Sequence, residues 1–183
     1  MPKKQNKKKS SVAWILASIV LVFGVVFFVF THRNPRVAMA PTRNEAVINS
    51  LFENYNVKLD GESLDFKNGM YKGSSGDHSA VINYQVTNPT GNKSVAILID
   101  SPGGSGTFYY LVASANNNGS ITYSSPIPLG DRIKIESLSI DSNDLVKLVY
   151  FDRSAGEPMA ATPTQEVSAN YSFQDDGSLT PAH

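Results

Sequence analysis

Four carboxylates are the side chains whose type and placement could do chemistry. Asp100 ends one predicted strand, Asp131 begins another, and Asp152 and Glu157 flank the segment Asp152-Arg153-Ser154-Ala155-Gly156-Glu157-Pro158-Met159. If these strand ends gather at one edge of a sheet, the acids could serve as the proton donor and base or nucleophile of a glycoside hydrolase. The competing reading is structural, with Asp131–Arg132 and Asp152–Arg153 forming ion pairs and turn contacts. The sequence favours that second reading.

The other reactive types are sparse. Ser101-Pro102-Gly103-Gly104-Ser105-Gly106 is a conspicuous glycine loop, but it runs from one strand pattern into another and lacks the Gly-Lys-Ser/Thr ending of a phosphate loop. It is read as a bent inter-strand loop, with an anion site at Gly103, Gly104, Ser105 and Gly106 as the minor alternative. Ser105 has no G-x-S-x-G around it and makes a poor nucleophile. The three histidines are His32, His78 and His183. His78 follows Gly73-Ser74-Ser75-Gly76-Asp77 and reads as a solvated loop residue. No two histidines have metal-ligand spacing, so no metal and no cofactor is expected. With no cysteine among 183 residues, a disulfide framework, a thiol nucleophile and a thiolate zinc site are all excluded.

The net charge of zero conceals a segregation. Lys3, Lys4, Lys7, Lys8, Lys9, Arg33 and Arg36 give residues 1–36 seven bases and no acid, leaving nine bases against 16 acids in the remainder. Between the lysines and Arg33 lies Val12 to Phe30, an uncharged run long enough to cross the roughly 30 Å hydrocarbon core of a bilayer as a helix. The lysine excess on its N-terminal side places residues 1–11 in the cytoplasm and the C-terminal part outside. The rival is a cleaved signal peptide ending at Ala38-Met39-Ala40. Against it stand the length of the apolar run, the distance of the triplet from Phe30 and Pro41 just past the cut. Nucleic acid is not an expected partner, since the exported part is acidic and its bases are dispersed.

The elements that must position any site follow. Residues 31–42 read as a juxtamembrane linker, and Arg43 to Tyr55 carries the one helical pattern outside the membrane. From Val57 the pattern changes to period two with turn punctuation. Strands are expected at 80–86, 94–99, 107–115, 120–124, 132–140, 145–151 and 167–173. After Ser94 the run 94–99 is continuously apolar, as befits a strand covered on both faces. Asn118-Gly119 marks a tight hairpin, and a slip near Ser137 marks a bulge. Residues 43–174 are thus expected to form one mainly antiparallel β domain of six or seven strands with one short helix, followed by a flexible polar tail from Asp175.

The order Gly103-Gly104-Ser105-Gly106-Thr107-Phe108-Tyr109-Tyr110-Leu111, Leu129-Gly130-Asp131-Arg132-Ile133 and Asp152-Arg153-Ser154-Ala155-Gly156-Glu157-Pro158-Met159 resembles a family of bacterial exported or membrane-anchored β-rich domains. The resemblance covers roughly residues 70–174 and implies a fold but no reaction. Members of that family often carry an acidic D-L-N-G-D-G stretch where this chain has Val86-Thr87-Asn88-Pro89-Thr90-Gly91-Asn92-Lys93. Without a carboxylate there, a hard-cation site is not carried over. The expected function is a non-catalytic binding or structural role at the cell envelope, with an envelope protein or cell-wall partner. An envelope hydrolase, or an inhibitor or accessory subunit of an exported enzyme, are the alternatives. Glu157, Pro158 and Met159, in a proline-stiffened loop, are candidate contact residues beside the glycine loop.

Overall fold

Strand formation here follows from alternation that gives each segment a buried face. The computed structural model describes residues 51–182, all within a compact unit running from Glu45 to His183. Twelve strands lie among the described residues: β1 (Asn56–Leu59), β2 (Glu62–Asp65), β3 (Met70–Lys72), β4 (Ser79–Thr87), β5 (Lys93–Ser101), β6 (Phe108–Asn117), β7 (Ser120–Tyr123), β8 (Ile127–Asp131), β9 (Lys134–Ile140), β10 (Leu145–Asp152), β11 (Gln165–Phe173) and β12 (Leu179–Pro181). Every pairing is antiparallel.

The strands form three sheets. The central one has the order β3-β4-β5-β6-β7, with β8 added on β6; a second has the order β12-β11-β10-β9; β1 and β2 make a separate hairpin. On one face of the central sheet Ala80, Ile82, Ala96, Leu98 and Val112 pack with Val57, Leu59 and Leu64 of the hairpin and with Leu51, Phe52, Tyr55 and Phe66. On the other, Val95, Ile97, Leu111 and Ala113 pack with Ile135, Ile140, Val146, Leu148 and Phe173 of the second sheet. Strand β5 is therefore covered on both faces, which is why its centre, Val95 to Ile99, is continuously apolar.

Among the described residues there is no helix: Leu51–Asn54 form a turn, and the rest of the helical pattern lies outside the described residues, as do the apolar run and the linker. The fold corrects two expectations. The strand count is larger because β1, β2, β3, β8 and β12 are three to five residues long, too short to display a period. The segment from Asp175 is not a loose tail, since β12 pairs with β11 and the Ala182 N–H donates to the Asn170 carbonyl at 2.9 Å. Two local expectations are met. Asn118 and Gly119 both take positive φ (55° and 92°) at the two-residue turn between β6 and β7, the geometry of a type I′ hairpin. Opposite Val149 and Tyr150 the register skips from Ser137 to Ile135, leaving Glu136 as the bulged residue.

Candidate functional site

The carboxylates singled out above are distributed over two places: Asp131, Asp152 and Glu157 accept from backbone N–H groups, whereas Asp100 faces His78. Asp131 ends β8, where its Oδ1 accepts from the Thr107 N–H (2.8 Å) and both its oxygens accept from the Arg132 guanidinium (2.9–3.2 Å). Arg132 sits at φ 51°, directly after the Gly130–Asp131 step. A side chain at Gly130 would strike Ile133 Cγ2 at 2.8 Å, so glycine is required at this corner, which also lies against Asp152. The neighbouring arginine, Arg153, does not pair with a carboxylate. Its guanidinium donates to the carbonyls of Asp131 (2.9 Å), Arg132 (3.3 Å) and Ala161 (2.9 Å), which fastens the 154–164 loop to the β8 corner. Asp152 Oδ1 accepts from the Arg153 N–H and Glu157 Oε2 from the Ser154 N–H. Pro158 and Met159 ride on that loop, with Met159 47% exposed.

The guanidinium of Arg132, helped by the Thr107 N–H, holds the Asp131 carboxyl below the usual carboxylate range. A depressed folded-state value stabilises the fold above the unfolded value and loses that contribution as pH falls through it. Asp131→Asn should therefore flatten the loss of stability below about pH 4, read as thermal midpoint against pH. Unchanged acid sensitivity would show that the pair contributes nothing.

Asp100 lies apart from this corner, with β6 between β5 and β8: Asp100 and Asp131 each pair with Phe108, from opposite sides. Asp100 is only 5% exposed and its Oδ1 stands 2.7 Å from His78 Nε2, while His78 Nδ1 faces Glu62 Oε2 at 3.3 Å. His78 is thus largely buried rather than solvated, and it ties the β1–β2 hairpin to the central sheet. The ring hydrogen-bonds to Asp100 and lies within ion-pair distance of Glu62. Tyr71 completes the cluster, its hydroxyl donating to Glu62 Oε1 and its ring edge-on to His78. With Asp100 on one ring nitrogen and Glu62 beside the other, His78 is held between two carboxylates and not in a Ser-His-Asp arrangement. The glycine loop of Gly103, Gly104, Ser105 and Gly106 joins β5 to β6, and Gly103 (φ 93°) lies against Asp77. It leads into a strand, so it offers no helix terminus for an anion.

A third place was not foreseen from the sequence. The turns 88–93, 141–144 and 174–177 meet around Lys93, which is 5% exposed although it begins a strand. Its ammonium donates to Asp144 Oδ2 and Asp175 Oδ1, both at 2.9 Å, and lies 5.3 Å from the centre of the Phe173 ring. Buried Asn88 closes the arrangement: its amide donates to Asp144 Oδ1 and Asn92 Oδ1 (both 3.1 Å), and its Oδ1 accepts from the Lys93 N–H. Burial opposes the charge on Lys93, but the bonds to Asp144 and Asp175 outweigh it and hold the ammonium above the ordinary lysine range. Burial would likewise raise Asp144, and the bonds from Lys93 and Asn88 bring it below the usual value. Together these turns wall a cleft of about 300 Å³. A lysine joined directly to a doubly covered apolar strand was the available signal, since its ammonium must find counter-charges. No family model, curated protein or solved structure matches the chain.

Proposed function

We propose that this chain is a single-pass membrane protein displaying a β domain outside the cell, where it has a non-catalytic binding role at the envelope. The tether rests on the uncharged run Val12 to Phe30 behind five lysines. The binding role rests on one observation: each candidate carboxylate is committed to organising the fold. Asp131 is held by Arg132 and the Thr107 N–H, Asp100 by His78, and Asp152 and Glu157 by backbone N–H groups of their own loop. An acid–base pair would need one carboxyl to stand ready as a proton donor toward a substrate beside its partner. The domain supports recognition instead, through a preformed polar cleft and a pinned loop carrying Pro158 and Met159.

The test uses the full chain in cells of its host. Protease added outside should remove an epitope placed after residue 182 and spare one placed before Lys3. Vesicles bearing the chain should pellet with protein-free cell wall without releasing soluble sugar. Reversed protection would overturn the topology, and wall hydrolysis that D131N or E157Q abolishes would overturn the non-catalytic reading.

A further inference from the structure

We infer that the cleft around Lys93 is a binding site for a neutral, polyhydroxylated ligand, a sugar unit of a glycan; this rests on the binding role proposed above and names its ligand class. The chemistry of the lining selects the ligand by elimination. The walls are Asn88, Pro89, Thr90, Asn92, Ser142, Asp144 and Asp175 around Lys93, so Pro89 alone is apolar and neither a lipid tail nor an aromatic group finds a complementary surface. Anions are disfavoured because the one ammonium is already shared between two carboxylates. A metal cation is disfavoured for the mirror reason: the ammonium already occupies the space between Asp144 and Asp175, which would have to act as ligands.

What remains free suits hydroxyl groups. Asp175 is fully exposed, and only its Oδ1 is engaged, so Oδ2 can accept from sugar hydroxyls. The Asn92 amide nitrogen and the exposed Ser142 hydroxyl make no hydrogen bond among the described residues and can donate. These groups are held in place before any ligand arrives. The Asn117 amide donates to the Asp175 carbonyl (2.9 Å), the Asn116 N–H to the Asn92 carbonyl (2.7 Å), and Asp141 Oδ1 accepts from the N–H groups of Asn143 and Leu145 on either side of Asp144. Hydroxyls that enter such a site meet fixed partners and cost little reorganisation of the protein, the condition under which weak individual hydrogen bonds sum to measurable affinity.

The test is titration calorimetry of the full chain in mild detergent with three neutral probes: oligomers of glucose in α and β linkage and of N-acetylglucosamine. At least one should bind with a Kd in the millimolar range or tighter, and Ser142→Ala should weaken it several-fold. Asp175→Ala, which removes a charged acceptor, should weaken it about tenfold. Ser142 is exposed and holds no other group, so S142A should keep the wild-type melting temperature and reads the cleft without a folding effect. Binding that neither variant changes would place the sugar elsewhere and overturn this inference while leaving the envelope-binding role intact. No binding of any probe, with retention on protein-free cell wall preserved, would equally overturn the cleft. Retention only when wall proteins are present would assign the surface to a protein partner instead, and loss of all retention would overturn both proposals.

Discussion

Truncating Leu64 to alanine is expected to destabilise the folded unit by about 3 kcal/mol, and truncating Leu148 should cost about the same. Both side chains are essentially inaccessible to solvent, but they belong to different cores: Leu64 packs from the β1–β2 hairpin on one face of the central sheet, Leu148 from β10 on the other. If the two faces of β5 unite them in one cooperative structure, urea unfolding should show a single transition in each variant. The double variant should lose the sum to within about 0.5 kcal/mol, because the sites share no partner. A cost below about 1 kcal/mol for Leu64→Ala would mean that the hairpin is not a layer of the core.

That arrangement was legible in the sequence only where strands were long enough to show their environment. The largely apolar run 94–99 announced a strand covered twice, and the strict alternation of 132–140, with its slip, announced β9 and its bulge at Glu136. The cover itself was not legible. β1 and β2 have four residues each, and β8 contains Pro128 and Gly130, so none of them carries a readable period. The contacts that matter chemically are also long in sequence. His78 meets a carboxylate 22 positions away, and Lys93 meets two, at 51 and 82 positions. Such partners are set by sheet register, which a single sequence does not reveal. Two of the carboxylates chosen from the sequence were adjacent to arginines. Arg132 pairs with its neighbour, while Arg153 turned instead to three backbone carbonyls.

Lys93→Met should cost about 2 kcal/mol, less than the loss expected at a fully buried pair because solvent reaches Asp144 in part and Asp175 entirely. The methionine keeps the stem against Phe173 but leaves Asp144 beside Asn88 without its cation. Neutralising the orphan should recover part of the loss. An asparagine side chain tolerates the positive φ that Asp144 adopts (58°) and can still accept from Asn88, so Lys93→Met/Asp144→Asn is expected to be about 1 kcal/mol more stable than Lys93→Met alone. The measurement is the chemical denaturation midpoint of wild type and the two variants. A double variant no more stable than Lys93→Met would show that the charge pair is not what Lys93 contributes.

The span from Lys93 to Asp175 also bears on when the cleft comes into being. Its first turn leaves the ribosome 82 residues ahead of its last, and β10 and β11, which carry Phe173 to the ammonium, lie in between. During vectorial synthesis the lysine therefore waits without its second counter-ion, and the early strands wait without the sheet that covers one face of them. The longest loops of the cleft are therefore the last that can close. Any product interrupted before residue 175 would leave the Lys93 ammonium without its second carboxylate and the second sheet without β12.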